Sequence, residues 1–416
     1  MNIVVSSGVT SSGLTISSGE TLVIMSGGSA ESIRVLSGGK EDVESGGLAS
    51  GTAVSSGGVN YVFSGGVADG ASVTSGGQQI IRTGGVASRT TVQGGGVEYI
   101  SAGGVAVGAT VGSGGADVAL VGGTASATTV SAGGKEDVNA GGLAKVTTVQ
   151  NGGVEYVRAS GTTSGAVLNS GGVAYVAAGG VAAATTVSDG GKDVLRSGGV
   201  ASGLGLLSGG QVTDDGEIVV TGGGTFAGAL LGSGALVKTG AGDLVLSGDG
   251  SKFSGAAVIS GGTLELASYG ALGSAGVSFV APATGSSILQ VDAADTPATG
   301  GTFANTLSNF SGANEGVDAR GVAFNLVGLG ASLGADLVLV DVLDVYTFKV
   351  AGSTAQLYPV ASDGHGGTQI NTGTALFAQA AAAFAPESSA KTDLVSTPRA
   401  TDHTPFLHAA GGAGRG

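Results

Sequence analysis

The stretch Val86-Ala-Ser-Arg-Thr-Thr-Val-Gln-Gly-Gly-Gly-Val-Glu-Tyr-Ile100 contains two short runs of β-prone residues separated by glycines, and near-copies of it stand at 143–157 and 181–195. Worked outward from it, glycine recurs every 19 residues, at 8, 27, 46, 65, 84, 103, 122, 141, 179 and 198, with Ser160 as the exception. A second glycine series, from 19 to 209, has the same period, so turns alternate at spacings of 11 and 8 over eleven units. No insertion interrupts that spacing. A fixed period of this length is the signature of a stacked repeat, in which no single unit buries its apolar face alone.

The columns between the glycines differ chemically, as stacking requires. Ile16, Val35, Val54, Val73, Val92, Val111, Val130, Val149, Leu168, Val187 and Leu206 make one apolar ladder. Ile24, Val43, Val62, Ile81, Ile100, Ala119, Val138, Val157, Val176 and Leu195 make another, and Ala30 through Ala201 form a small-residue column. Each unit then has two strands and two glycine corners, glycine supplying the positive φ that a tight corner needs. The pattern predicts an all-β fold, a single-stranded right-handed parallel β-helix of 19-residue rungs. With strands about 4.8 Å apart the regular part is a rod on the order of 50 Å long, each buried Val adding roughly 1.5 to 3 kcal/mol.

Composition agrees with this reading. The 416 residues include 85 Gly, 6 Pro and no Cys or Trp, and 11% are charged. Glycine at this level disfavours helices, and the missing cysteines remove disulfides and thiolate metal sites. The most apolar stretch, 375–385, is shorter than the roughly 20 residues a spanning helix needs, so no membrane insertion is expected. A net charge of −14 with no basic patch argues against nucleic acid and anionic membranes as partners.

Four segments are expected. Residues 1–216 are the solenoid of about eleven repeats, and 217–276 continue the β-helix out of the 19-residue register. Residues 277–370 are an irregular β cap, with β runs at 287–291, 335–343, 346–350 and 356–360. Residues 371–416 are a disordered tail or secretion-related segment, with a short helix near 375–384. The start shows no cleavable signal peptide, and the tail lacks the roughly 10-residue alternating strands of a membrane barrel.

The 86–100 run and its copies resemble the strand-loop-strand repeat of autotransporter passengers of the AIDA, TibA and antigen-43 type, over about residues 8–216. The segment 232–273, with Gly-Ala-Gly-Asp-Leu-Val-Leu-Ser-Gly and Gly-Gly-Thr-Leu-Glu-Leu, is similar to the passenger-associated transport repeat of the same superfamily. The resemblance implies a β-helix secreted to or displayed on a Gram-negative cell, acting in adhesion, autoaggregation and biofilm formation. Its partners are then the chain itself and a host or matrix surface. It also implies O-linked heptosylation by a bacterial heptosyltransferase, with the turn serines Ser37, Ser56, Ser75, Ser113, Ser170 and Ser208 as acceptors.

Catalysis finds little support. His365, His403 and His408 lie outside the repeats without metal-ligand spacing. The segment 362–367 reads as a glycine-rich turn, and the adjacent Asp214 and Asp215 should point to opposite faces of a strand. The competing readings are a polysaccharide-modifying β-helix enzyme, which needs loops inserted over one face, and an inert secreted scaffold. No catalytic residue, cofactor or established metal site is expected. Glu98, Asp117, Glu136 and Glu155, with Glu41 and Asp193 in the same register, form an acidic column. It reads as a solvated stripe or, more sharply, as a weak divalent-cation site or a surface that tunes self-association. Thr91, Thr110, Thr129, Thr148 and Thr186 form an outward hydroxyl column. Tyr61, Tyr99, Tyr156 and Tyr175 share one face, where packing is favoured over a sugar platform.

Overall fold

A computed structural model describes residues 1–371 apart from 283, 299–300, 311–313, 321–329, 334–335, 341–344, 352–356, 359 and 366. The expected helix near 375–384, the tail, His403 and His408 lie outside the described residues. Every regular element among the described residues is a strand. The chain winds as a right-handed parallel β-solenoid, and each strand of the regular region pairs in parallel with its counterpart 19 residues on, as Val97 with Ala116 and Thr110 with Thr129.

Each rung has three strands, one more than the glycine spacing suggested. In one rung these are Val97–Ile100, Val105–Val107 and Thr110–Val111, and their stacks make three sheets. The first sheet holds 14 strands, from Asn2–Val5 to Lys252–Phe253. The corner missed in the sequence separates the second and third strands. It is occupied by Gly13, Gly51, Gly70, Gly108, Gly165 and Gly203, but in other rungs by Ser32, Arg89, Ala127, Val146 and Ala184, all at positive φ. Residues with a Cβ thus sit in a left-handed conformation that ordinarily costs them roughly 1–2 kcal/mol, and they conceal the third glycine series.

At the two legible corners the paired glycines have separate tasks. Gly122 adopts a φ of +72°, and a Cβ on Gly123 would lie inside contact distance of the Ile100 carbonyl oxygen of the preceding rung. The first glycine permits the turn and the second lets successive rungs approach.

Side chains alternate along the first-sheet strands of the regular rungs. In Val97–Ile100, Glu98 and Ile100 point inward while Val97 and Tyr99 are half-buried outside. The core is therefore a set of continuous ladders, among them the two apolar columns and the alanine column read from the sequence, all buried. Beyond residue 200 the offset between paired strands changes, to 17 at Val200 and Glu217, 18 at Glu217 and Ala235, and 25 at Gly262 and Ser287. Stacking continues nevertheless, now around buried Phe226, Phe253, Phe279, Phe303, Phe310 and Phe348.

The parallel order then ends. Thr368–Asn371 pairs antiparallel with Glu315–Ala319 and with Val360–Ser362, and Gly330–Leu333, Asp336–Val340 and Val345–Ala351 form an antiparallel sheet. Antiparallel strands at the end of a solenoid occupy an edge that would otherwise offer open backbone groups.

Two substitutions test the corners. Val146 is 59% exposed at a φ of 55°, so Val146→Gly should raise unfolding stability by about 1 kcal/mol. Gly123→Ala should lower it by roughly 2 kcal/mol or more through backbone displacement. Urea unfolding followed by circular dichroism measures both.

Candidate functional site

The acidic column is not a solvated stripe. Glu41, Glu98, Asp117, Glu136, Glu155 and Asp193 are all fully buried inside the solenoid, in line with Asn60 and Gln79. The alternation explains why: Glu98 lies two residues before Ile100, and both face the core. The sequence reading placed the apolar ladder inside without carrying its acidic neighbour along the same face.

The column begins as a hydrogen-bonded ladder. Asn60 donates to Glu41 at 2.7 Å, Gln79 donates to Asn60 at 3.0 Å, and Thr52 and Thr90 from the facing wall donate to Glu41 and Gln79 at 3.2 and 2.9 Å. Thr128 donates to Asp117 at 3.2 Å. Both carboxyl oxygens of Glu98, Glu136, Glu155 and Asp193 have no well-formed hydrogen bond among the described residues. A buried ionised carboxylate without partners is too costly to persist, so the group takes up a proton instead.

Burial pushes Glu41, Glu98 and Asp193 up to about 7 and Glu136 and Glu155 up to about 8, with further upward pressure from neighbouring carboxyls on all five. Asp117 is raised by the same causes. A protonated carboxyl has one donor and so can continue the amide ladder of Asn60 and Gln79. The facing hydroxyls are a second unanticipated column: Thr90, Thr128, Thr147 and Thr185 are buried, while the next residue in each rung, Thr91, Thr129, Thr148 and Thr186, faces outward as expected. The doubled threonines were the available signal. Among the described residues no group of three or more His, Asp or Glu is arranged to hold a metal ion. Burial favours the protonated form of the column.

The remaining candidates lie on the outside. Ser37, Ser56, Ser75, Ser113, Ser170 and Ser208 are all exposed at one line of corners, with Ser56 and Ser75 at positive φ. Tyr61, Tyr99, Tyr156 and Tyr175 are half-buried on the outward face of the first sheet. Tyr156 and Tyr175 stack with ring centroids 5.5 Å apart, Arg158 lies over Tyr156 at 5.0 Å, and Arg196 lies over Tyr175 at 5.9 Å.

The fold gathers most of the cations of the regular stack on this face, interleaved with the carboxylates of Asp42, Glu44, Asp137 and Asp215. Of the nine Lys and Arg in residues 1–216, only Arg34, Arg89 and Lys145 lie elsewhere. Lys40, Arg82, Lys135, Arg158, Lys192 and Arg196 share this outward face. The residues are far apart in sequence, and only the 19-residue winding aligns them.

Asp214 and Asp215 do point apart. Asp214 is buried and accepts the Gly216 amide at 2.9 Å, while Asp215 is exposed and accepts the amide and hydroxyl of Ser233 at 3.0 Å. Asp363 accepts the His365 and Gly367 amides at 2.7 and 2.8 Å, and exposed His365 is part of that turn. A further site escaped sequence reading: Lys238 is fully buried, with Nζ donating to the carbonyls of Thr239, Gly240 and Gly261 at 2.9, 2.9 and 3.0 Å. Burial lowers its pKa.

The column predicts a pH dependence. Its carboxyls titrate higher in the folded chain than the ordinary 4.5 or 3.8, so their contribution is complete below those values and is lost as pH rises toward 8. For one carboxyl moved from 4.5 to about 8 the full effect is on the order of 5 kcal/mol, and coupled groups share rather than sum it. The urea midpoint should fall between pH 4.5 and 8. The combined Glu98→Gln, Glu136→Gln and Glu155→Gln variant should show a much flatter profile.

Comparison with known proteins follows the same division of the chain. Residues 119–172 match the model described as adhesin of bacterial autotransporter system, probable stalk, and residues 236–266 match the passenger-associated transport repeat. No curated protein matches the chain in sequence. Among solved structures, a fragment of TibA hyper-glycosylated by TibC is 29% identical, with a TM-score of 0.51, covering 72% of this chain and 92% of the fragment. The stalk model falls on the regular rungs and the transport repeat on the rungs around Lys238, so that both parts of the winding are similar to autotransporter passenger β-helices of the AIDA and TibA type.

Proposed function

We propose that the chain is a structural, non-enzymatic adhesin-like rod, secreted to the surface of a Gram-negative cell, that mediates self-association, aggregation or attachment through its repeated outward faces. The observation that supports this most directly is the constancy of the 19-residue register, which presents the same outward positions on rung after rung with no inserted loop through the regular stack. A weak contact repeated along a rigid rod gains strength by multivalency. The same absence of inserted loops leaves no deep cleft on the regular stack for a polysaccharide-cleaving site.

The serine corners extend the reading. Ser37, Ser56, Ser75, Ser113, Ser170 and Ser208 are exposed on a fold shared with a glycosylated TibA fragment, and we assign them as acceptors for a heptosyltransferase.

Analytical ultracentrifugation of the purified chain should show reversible, concentration-dependent association. A strict monomer at high concentration removes homotypic adhesion. Intact mass of protein from its native host should carry heptose-sized increments, which disappear when the six serines are replaced by alanine. An unmodified mass rejects the glycan assignment.

A further inference from the structure

The outward face of the first sheet carries features that a purely self-adhesive rod does not require. Arg82 lies over the rings of Tyr61 and Phe63, with its guanidinium carbon 5.0 and 5.4 Å from their centroids, and forms no ion pair among the described residues. A guanidinium stacked on aromatic rings is held in orientation while its in-plane N–H donors remain available, a geometry suited to gripping a carboxylate with two hydrogen bonds. Arg82 also lines a shallow cleft, open to solvent, with Glu44, Phe63, Ser64, Thr83 and Ser101. Hydroxyls and a carboxylate beside an aromatic ring are the groups that pair with sugar hydroxyls and the apolar face of a pyranose.

Further along the same face Arg196, over Tyr175, likewise has no ion-pair partner among the described residues, whereas Arg158 is held by two bonds to Asp137 at 2.6 and 2.7 Å. Arg82 and Arg196 are six rungs apart, about 29 Å at about 4.8 Å per rung. The intervening face presents half-buried Val97, Tyr99, Val118 and Leu120, followed by Lys135, Asp137 and Arg158. An extended polymer that offers carboxylates to the guanidinium groups and apolar pyranose faces to the rings matches this surface. A nucleic acid offers phosphates and no pyranose face for the aromatic rings.

We propose that the Arg82 cleft is a subsite for a carboxylated sugar unit of an acidic polysaccharide, with Arg82 binding the carboxylate and Arg196 a second anchor along the polymer. The proposal deepens the adhesive reading above and rests on it. The test is titration calorimetry of the full chain with an oligogalacturonate, alongside neutral dextran and duplex DNA. Oligogalacturonate should bind saturably, with affinity falling at least tenfold in Arg82→Gln and a few-fold in Arg196→Gln. Arg89→Gln, on another face, should bind as the parent does. No binding of oligogalacturonate, equal binding of dextran or DNA, or an unchanged Arg82→Gln overturns the subsite. Sedimentation of the same samples without sugar separates the two readings: a chain that self-associates but ignores oligogalacturonate keeps the adhesive role and loses the subsite, and one that does neither loses both.

Discussion

Backbone pairing between successive rungs is the constraint on which everything else in this molecule depends. Because the strands are parallel and the regular register is uniform, each side chain lies against its own equivalents one rung above and below. A rung cannot choose its residues independently. An apolar column must be apolar throughout or be interrupted by something its neighbours can satisfy, which is why Asn60 and Gln79 bond to one another and to Glu41. The same rule puts Tyr175 on Tyr156. In a globular core a polar residue seeks partners from many directions, but here its nearest partners are its own copies.

That constraint made the period legible and hid part of the geometry. Two corners announced themselves because their glycines are required twice over, once for φ and once for close approach. The third requires only φ, a condition that Arg89, Ala127 and Val146 meet with strain, so its glycine series is broken and the third strand was read as part of the second. The acidic column failed for another reason. Charge suggested solvent, and the alternation that fixes Glu98 beside Ile100 was outweighed by the cost of burying a carboxylate. That cost falls once the carboxyl is neutral. Lys238 had no signal at all in the sequence, because its three carbonyl partners come from the backbone.

Protonation of the column also changes how the exterior should be viewed. The formal net charge of −14 counts every carboxylate, including those sealed in the core. Burial raises their pKa values and removes them from the exterior, so the surface that meets other molecules is less acidic than composition implies. Most cations of the regular stack lie on one sheet face, where they alternate with a smaller number of carboxylates, so an overall acidic chain retains a side of mixed charge.

The uniform register of the three-strand rung has a last consequence, which concerns how such a chain can lengthen. One residue inserted within a strand would turn every later side chain of that strand from inside to outside. Additions are therefore tolerated only at corners or as entire rungs. The reach of the rod is quantised, growing by about 4.8 Å for each complete turn. A lineage can adjust the length of the rod by duplicating or deleting whole turns, while the cross-section and its outward faces stay the same.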